Sequence, residues 1–212
     1  MIIAIDGPAG TGKSTIASMI AKKLNIVFLN SGGFYRTLTL AILENGIDYS
    51  SANEEKVLDF CKKQKIEYTA EGDFILNEVN VTHRLHEDKV TANTSQVSAL
   101  VSIRHYVNDL MRKFTESQSI VCEGRDMTTV VFPNAEYKIY LDASSEVRAQ
   151  RRFDQGVSDM TFEEIKAAIE KRDEMDKNKK EGALKIASDS LYIDTSNLTI
   201  DNVCEIILKQ IS

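Results

Sequence analysis

The sequence has 212 residues, enough for one domain with a sizeable buried core and room for a small insertion. Its net charge of −6 argues against a general binder of nucleic acid or of membrane surfaces. No run approaches the roughly 18 apolar residues of a membrane span, and Cys61, Cys122 and Cys204, odd in number and far apart, read as reduced core or surface thiols of a cytoplasmic protein.

The chain opens on Met1-Ile2-Ile3-Ala4-Ile5-Asp6, an apolar run of strand length, which predicts a buried strand and no cleaved signal peptide. Gly7-Pro8-Ala9-Gly10-Thr11-Gly12-Lys13-Ser14-Thr15 follows, a G-x-x-x-x-G-K-S loop running into an apolar-periodic helix that extends to about Leu24. The three glycines let the backbone take positive φ and approach a ligand closely. The exposed N–H groups then form an anion nest at a helix N-terminus. Lys13 is placed to reach the β- and γ-phosphates of a nucleotide, and the Ser14 hydroxyl to sit on Mg²⁺. A second strand, Ile26 to Leu29, ends in a turn at Asn30-Ser31-Gly32-Gly33. A helix from Phe34 to Glu44 comes next, stopped by Asn45-Gly46. A strand, a helix and a strand in this order imply a parallel sheet.

From Ser51 the pattern changes. Ser51 and Glu54 fit a capping box. Ile66–Thr69, Phe74–Leu76 and Glu78–Val81 are short, polar-alternating strands that read as a small antiparallel insertion. Helices are expected from about Thr91 to Leu100 and from Ser102 to Phe114. The buried pattern resumes with Ile120-Val121-Cys122-Glu123, closed by Gly124-Arg125-Asp126, and with Lys138–Asp142, followed by a Ser145-capped helix carrying Arg148, Arg151 and Arg152. Thr161 and Glu164 open a long helix through Arg172 and Asp173. Leu191–Asp194 is the last strand and Thr199–Ile211 the last helix. Five buried strands interleaved with helices make the chain α/β.

The arginines narrow the chemistry. Arg36, Arg84, Arg104, Arg125, Arg148, Arg151, Arg152 and Arg172 mostly fall at strand ends or near helix starts, where an open α/β sheet binds its ligands. Guanidinium is the better group for bidentate contact with phosphate oxygens. At the end of its strand, Glu123 is placed to hold Mg²⁺ through water, as an acidic residue does in P-loop enzymes. His83, His86 and His105 lack zinc-ligand spacing and read as solvated loop residues.

From end to end the chain resembles the bacterial cytidylate kinases. The segments that carry the resemblance are Gly7–Thr15, Ser31-Gly32-Gly33-Phe34-Tyr35-Arg36, Ala92–Ser98, Gly124–Pro133 and Arg172-Asp173. The fourth is far more specific to that family than the first. The resemblance implies a P-loop nucleoside-monophosphate-kinase fold with a five-stranded parallel sheet flanked by helices. It implies a core of residues 1–50 and 118–212, a small antiparallel NMP-binding insertion at about 51–117, and a short lid at about 148–180. It also implies transfer of the ATP γ-phosphate to CMP or dCMP, with Mg²⁺, in a cytoplasmic monomer without nucleic-acid or membrane partners.

Carried over by motif, Ser31, Tyr35 and Arg36 meet the CMP sugar and phosphate, and Ser95, Arg104 and Asp126 read the cytosine. Arg125, Arg172 and Asp176 hold the CMP phosphate and ribose. Lys13, Arg125, Arg148, Arg152 and Arg172 supply charge to the transferring group, and Ser14 and Glu123 serve the metal. The chain departs from the family at Lys179, where arginine is usual, at Glu123, where many members have aspartate, and in a shortened segment 153–161. Two rival readings are a kinase for UMP or AMP and a nucleotide-gated switch. The switch lacks an Asn-Lys-x-Asp signature and leaves the arginines unexplained.

Overall fold

The computed structural model describes residues 1–156 and 160–211. Residues 157–159, inside the segment expected to be shortened, lie outside the described residues. The chain divides into two compact units, Met1–Phe28 with Ser119–Ser212, and Leu29–Gln118.

The parallel sheet comprises β1 (Ile2–Asp6), β2 (Val27–Asn30), β6 (Ile120–Gly124), β7 (Tyr137–Asp142) and β8 (Leu191–Asp194), in the order β2-β6-β1-β7-β8. The central strand β1 pairs Ile3 with Val121 on one side and Tyr137 on the other, and Asp6 with Gly124 and Tyr140. Such a strand has both faces covered, which is why it reads as a continuous apolar run and not as an alternation. Helices α1 (Lys13–Leu24) and α8 (Ile200–Ile211) pack against it. Ile3, Ile5, Ile16, Ile20, Val121, Leu141 and Ile207 form one core in which every side chain is buried. Helices α6 (Ser145–Asp154) and α7 (Phe162–Lys177) pack on each other around Ala149, Ile165 and Ile169.

In the second unit, α2 (Ser31–Glu44) packs on α4 (Asp88–Val97), and α3 (Glu54–Lys62) on α5 (Val101–Thr115). Strands β3 (Ile66–Tyr68), β4 (Phe74–Leu76) and β5 (Val79–Asn80) form the expected antiparallel sheet. Phe34, Tyr68, Phe74 and Phe114 build an aromatic cluster with ring centroids 4.6 to 5.7 Å apart, and so give this small sheet an apolar face to pack.

Several local expectations are corrected. The turn at Asn30–Gly33 is the first turn of α2. Asn30 is its N-cap, its side chain accepting from the Gly33 N–H at 3.3 Å. A Cβ on Gly33 would lie 2.2 Å from the Phe74 ring, so this glycine serves close packing and does not break the helix. Ser51 and Glu54 make no capping box: Ser51–Asn53 is a 3₁₀ turn, and the Glu54 carboxylate accepts from the Ser102 N–H at 2.6 Å instead. The cap of α6 is Ser144, one residue earlier than expected, accepting from the Val147 N–H at 3.2 Å. The Thr161–Glu164 capping box forms as the sequence predicts. Helix α4 runs Asp88–Val97, three residues earlier than its expected span from Thr91 to Leu100. All three cysteines are buried. The three histidines are exposed, but His105 lies on α5 and not in a loop.

Candidate active site

The glycine loop between β1 and α1 has the geometry its composition requires. Gly7 passes against β7 so closely that a Cβ would lie 2.0 Å from the Leu141 carbonyl oxygen. Gly12, the residue before α1, sits at φ 88°, where a side chain would be strained. The first turn of α1 holds no acidic residue of its own, so its N–H groups and the positive end of its dipole are not matched from within the helix. That is the condition for an anion site at a helix N-terminus.

Lys13 is buried, and its ammonium is folded back onto the loop. Nζ donates to the Pro8 carbonyl at 2.7 Å and to Thr11 Oγ1 at 3.4 Å. Burial, reinforced by the nearby Arg125 and Arg172 guanidinium groups, lowers its pKa from 10.5 to about 7. Burial outweighs the opposing pull of the Glu123 and Asp6 carboxylates, and phosphate oxygens brought to Lys13 would favour its charged form. The Ser14 hydroxyl donates to Glu123 Oε1 at 2.9 Å, joining the start of α1 to the end of β6. A hydroxyl and one carboxylate are hard oxygen donors of the kind Mg²⁺ takes when nucleotide phosphates and water complete its shell. No group of three or more His, Cys, Asp or Glu able to hold a metal ion occurs among the described residues.

Beyond β6, Arg125 Nε donates to Asp176 Oδ2 at 2.8 Å, and Lys179 Nζ donates to Asp176 Oδ1 at 2.7 Å. Arg172, more than half exposed, stands one helical turn away with Nε 4.0 Å from Asp176. Burial would push the Asp176 carboxyl up, but Arg125 and Lys179 outweigh it and hold the pKa below the usual carboxylate range. Asp126 is buried at the N-terminus of a π-helical turn, Met127–Val131. The structure thus brings Lys13, Arg125 and Arg172 into one field of positive charge in the first unit.

Arg148 and Arg152, grouped in the sequence, part company here. Arg148 is 4% exposed and fully engaged: Nε on the Ala143 carbonyl and Nη1 on the Ala9 carbonyl, each at 2.9 Å, and Nη2 on Asp173 at 2.6 Å. It clasps the glycine loop from outside. Arg152 is exposed on α6. Arg151 donates to the carbonyl and hydroxyl of Thr195.

In the second unit, Ser31 is buried at the start of α2. Arg36 Nη1 donates to the Leu85 carbonyl at 2.9 Å and to Thr91 Oγ1 at 2.8 Å. Arg104 is buried on α5, with Nη1 on the Ser98 carbonyl at 3.3 Å and its guanidinium 5.8 Å from the Tyr35 ring centroid, within cation–π range. Tyr35 and Arg104, read separately from the sequence, are in contact. Ser95 is exposed on α4.

Among the buried polar residues that escaped the sequence reading, Asp6 and Thr128 bear on the site. Asp6 is fully buried and accepts from the Met127 N–H at 2.9 Å and from the N–H and hydroxyl of Thr128 at 2.7 Å each. Burial raises its pKa from 3.8 to about 6. The available signal was a carboxylate ending an otherwise apolar strand, directly before the first glycine of the loop.

Comparison with known proteins covers the whole chain. The sequence profile of the cytidylate kinase family, described as "Cytidylate kinase", matches residues 3–212. The chain is 43% identical over 212 residues to the cytidylate kinase of Borrelia hermsii, covering 99% of this chain and 97% of that protein. It is 40% identical over 216 residues to that of Fusobacterium nucleatum, covering 100% and 97%. Among solved structures it shares its fold with a shikimate kinase from Bacteroides thetaiotaomicron, at a TM-score of 0.53 and 13% identity, covering 100% of this chain and 98% of the other.

Proposed function

The chain belongs to the cytidylate kinase family, and from that membership we propose how its residues carry ATP + CMP (or dCMP) → ADP + CDP (or dCDP). What supports the proposal most directly is the contact of Ser14 with Glu123 beside a buried, charge-starved Lys13 in the glycine loop. Phosphoryl transfer needs positioning and neutralisation of spreading charge more than covalent help. The site offers those two things and no nucleophile.

In this reading the backbone of Gly7–Thr15 cradles the ATP phosphates, and Lys13 leaves the Pro8 carbonyl to meet the β- and γ-oxygens. Ser14 and Glu123 would hold Mg²⁺, which when bound neutralises phosphate charge and orients the oxygens. Arg125 and Arg172 take the CMP phosphate, with Arg125 kept in place by Asp176. Asp176 is also assigned to the ribose, and Arg36, Ser31 and Tyr35 to the acceptor nucleotide's sugar and phosphate. Asp126, Arg104 and Ser95 are assigned to cytosine, whose N4 amino group a carboxylate accepts. Arg152 is assigned to the lid at about 148–180. Arg148 contributes by holding the Ala9 carbonyl, and so the loop, more than by direct contact. Lys179 holds Asp176 in this chain, the position where the family usually has arginine. No helix among the described residues is long and apolar enough to cross a membrane. Three buried free thiols suit a reducing compartment, the cytoplasm.

The test is ADP release in a coupled assay with CMP, dCMP, UMP and AMP offered separately. Turnover with CMP or dCMP at least tenfold above that with UMP or AMP is expected, and a preference for AMP or UMP would overturn the assignment. Release of ADP without any acceptor dependence would favour the switch instead.

A further inference from the structure

We propose that Asp6 is a positioning residue for the acceptor nucleotide: by capping the π-turn from strand β1 it sets the direction of Asp126 and Arg125. The inference rests on the reading of Asp126 as the cytosine contact and adds to it what holds that contact in place.

Helical turns begin with N–H groups that have no partner inside the turn. In the turn Met127–Val131 the later groups are satisfied internally, Val131 N–H on the Asp126 carbonyl at 3.1 Å and Phe132 N–H on the Met127 carbonyl at 2.8 Å. The residue before a helical turn commonly caps it with its own side chain, and aspartate is among the best at this. Asp126 stands at that position and makes no such bond. The cap comes instead from Asp6, 121 residues away in sequence, which takes the Met127 N–H on Oδ1 and both Thr128 groups on Oδ2. Asp126 is thereby relieved of capping its own turn, and its carboxylate is not consumed by the two N–H groups it would otherwise serve.

Asp6 is itself fixed. It ends the central strand, registered against Gly124 on β6 and Tyr140 on β7, and is wholly buried. Three of its acceptor positions are filled, and none of it faces solvent, so a direct role on a metal ion or substrate does not fit. What it transmits is geometry. The peptide from Gly124 to Thr128 is held at one end by the β1–β6 ladder and at the other by the Asp6 carboxylate, with Arg125 and Asp126 on the two residues after Gly124. Within the segment most specific to the family, Gly124–Pro133, Thr128 acquires a definite role, its hydroxyl and N–H forming the far end of the clamp.

The experiment compares KM for CMP with KM for ATP in Thr128→Val, Thr128→Ser and Asp6→Asn, beside Asp126→Asn. Thr128→Val removes one hydroxyl bond to a carboxylate at nearly constant shape, and should raise KM for CMP by about fivefold or more while KM for ATP stays within about twofold. Thr128→Ser keeps the hydroxyl and should restore KM for CMP. Asp6→Asn places an NH₂ or loses an acceptor against the Thr128 N–H, and should raise KM for CMP by about tenfold or more. If Asp6→Asn fails to fold by circular dichroism, the threonine pair decides. Parallel rises in both KM values, or a serine variant as impaired as the valine, would overturn the inference and leave Asp6 a stability residue. An Asp126→Asn enzyme with unchanged base preference would remove the cytosine reading and this inference with it, whereas loss of preference there with normal Thr128→Val kinetics would remove the inference alone.

Discussion

Replacing Lys13 by methionine should make the nucleotide-free protein more stable and all but inactive. The ammonium lies in a buried site beside Arg125 and Arg172, which together with burial bring its pKa from 10.5 to about 7. At neutral pH the fold therefore carries a penalty on the order of 4 kcal/mol for this one group, part of it offset by the hydrogen bond to the Pro8 carbonyl. Methionine has a similar length and no charge. A net gain of roughly 2–3 kcal/mol at pH 7 is expected after the lost hydrogen bond is subtracted. The pH dependence is the sharper signature. Between about pH 7 and pH 10.5 the unfolded wild-type chain binds the lysine proton and the folded chain does not, so its stability rises with pH across that window. The Lys13→Met protein lacks that rise. Its advantage should shrink by about 2 kcal/mol from pH 7 to pH 9, or about 4–8 °C in Tm. Differential scanning calorimetry of both proteins at the two pH values, without nucleotide, measures it. Turnover should fall on the order of 10²–10³-fold, the typical loss for one preorganised electrostatic contact. Parallel Tm curves for the two proteins would show that Lys13 is not held short of charge, and near-normal turnover would sink the phosphate-loop assignment.

Arg152→Ala should lower kcat more than it weakens CMP binding, because an exposed lid guanidinium acts on the transferring charge; a change confined to KM for CMP would move the lid role to other residues. Asp126→Asn should narrow the CMP-over-UMP preference in kcat/KM by about tenfold, since an amide can donate to uracil O4 where a carboxylate cannot; equal losses on both substrates would clear Asp126 of base reading. Gly33→Ala should destabilise the second unit by roughly 1–3 kcal/mol, because the added Cβ would meet the Phe74 ring at 2.2 Å, and a normal denaturation midpoint would contradict that packing.

What the sequence made legible follows the range of the interactions involved. The β1–loop–α1 unit could be read because its signals are local: an apolar run, glycines at fixed offsets, then helical periodicity. The Thr161–Glu164 box was equally local and formed. The Ser51–Glu54 box matched the same pattern and did not, because Glu54 found the Ser102 N–H, 48 residues on. Gly32-Gly33 looked like a terminator until Phe74, from a distant strand of the same unit, supplied the reason for the missing side chain. Asp6 was invisible as a cap for the same cause, its donors lying 121 and 122 residues away. Arg148 and Arg152 share one face of α6, a single turn apart, so helical periodicity could not separate the one that meets Ala9 from the one left exposed.

The three groups of positive charge divide the work by how far each is committed before any ligand arrives. Arg148 is the most committed: it is buried, and its three nitrogens bond the Ala143 carbonyl, the Ala9 carbonyl of the glycine loop and the Asp173 carboxylate. Arg125 is anchored on one side only, its Nε and the Gly124 carbonyl contact leaving the rest of the fork to a ligand. Arg172 is largely exposed, with its Nε 4.0 Å from Asp176 Oδ2. Ordering a long side chain at the moment of binding costs roughly 0.5–1.5 kcal/mol each, so anchoring Arg125 through Asp176 moves that cost into the folding of the enzyme. Asp176 can do this while staying ionised because Lys179 balances it from the other side. A guanidinium in the position of Lys179 would compete for the same phosphate. An ammonium bonded at 2.7 Å to Asp176 Oδ1 instead keeps the carboxylate charged and, in the proposed reading, would leave phosphate recognition to Arg125 and Arg172.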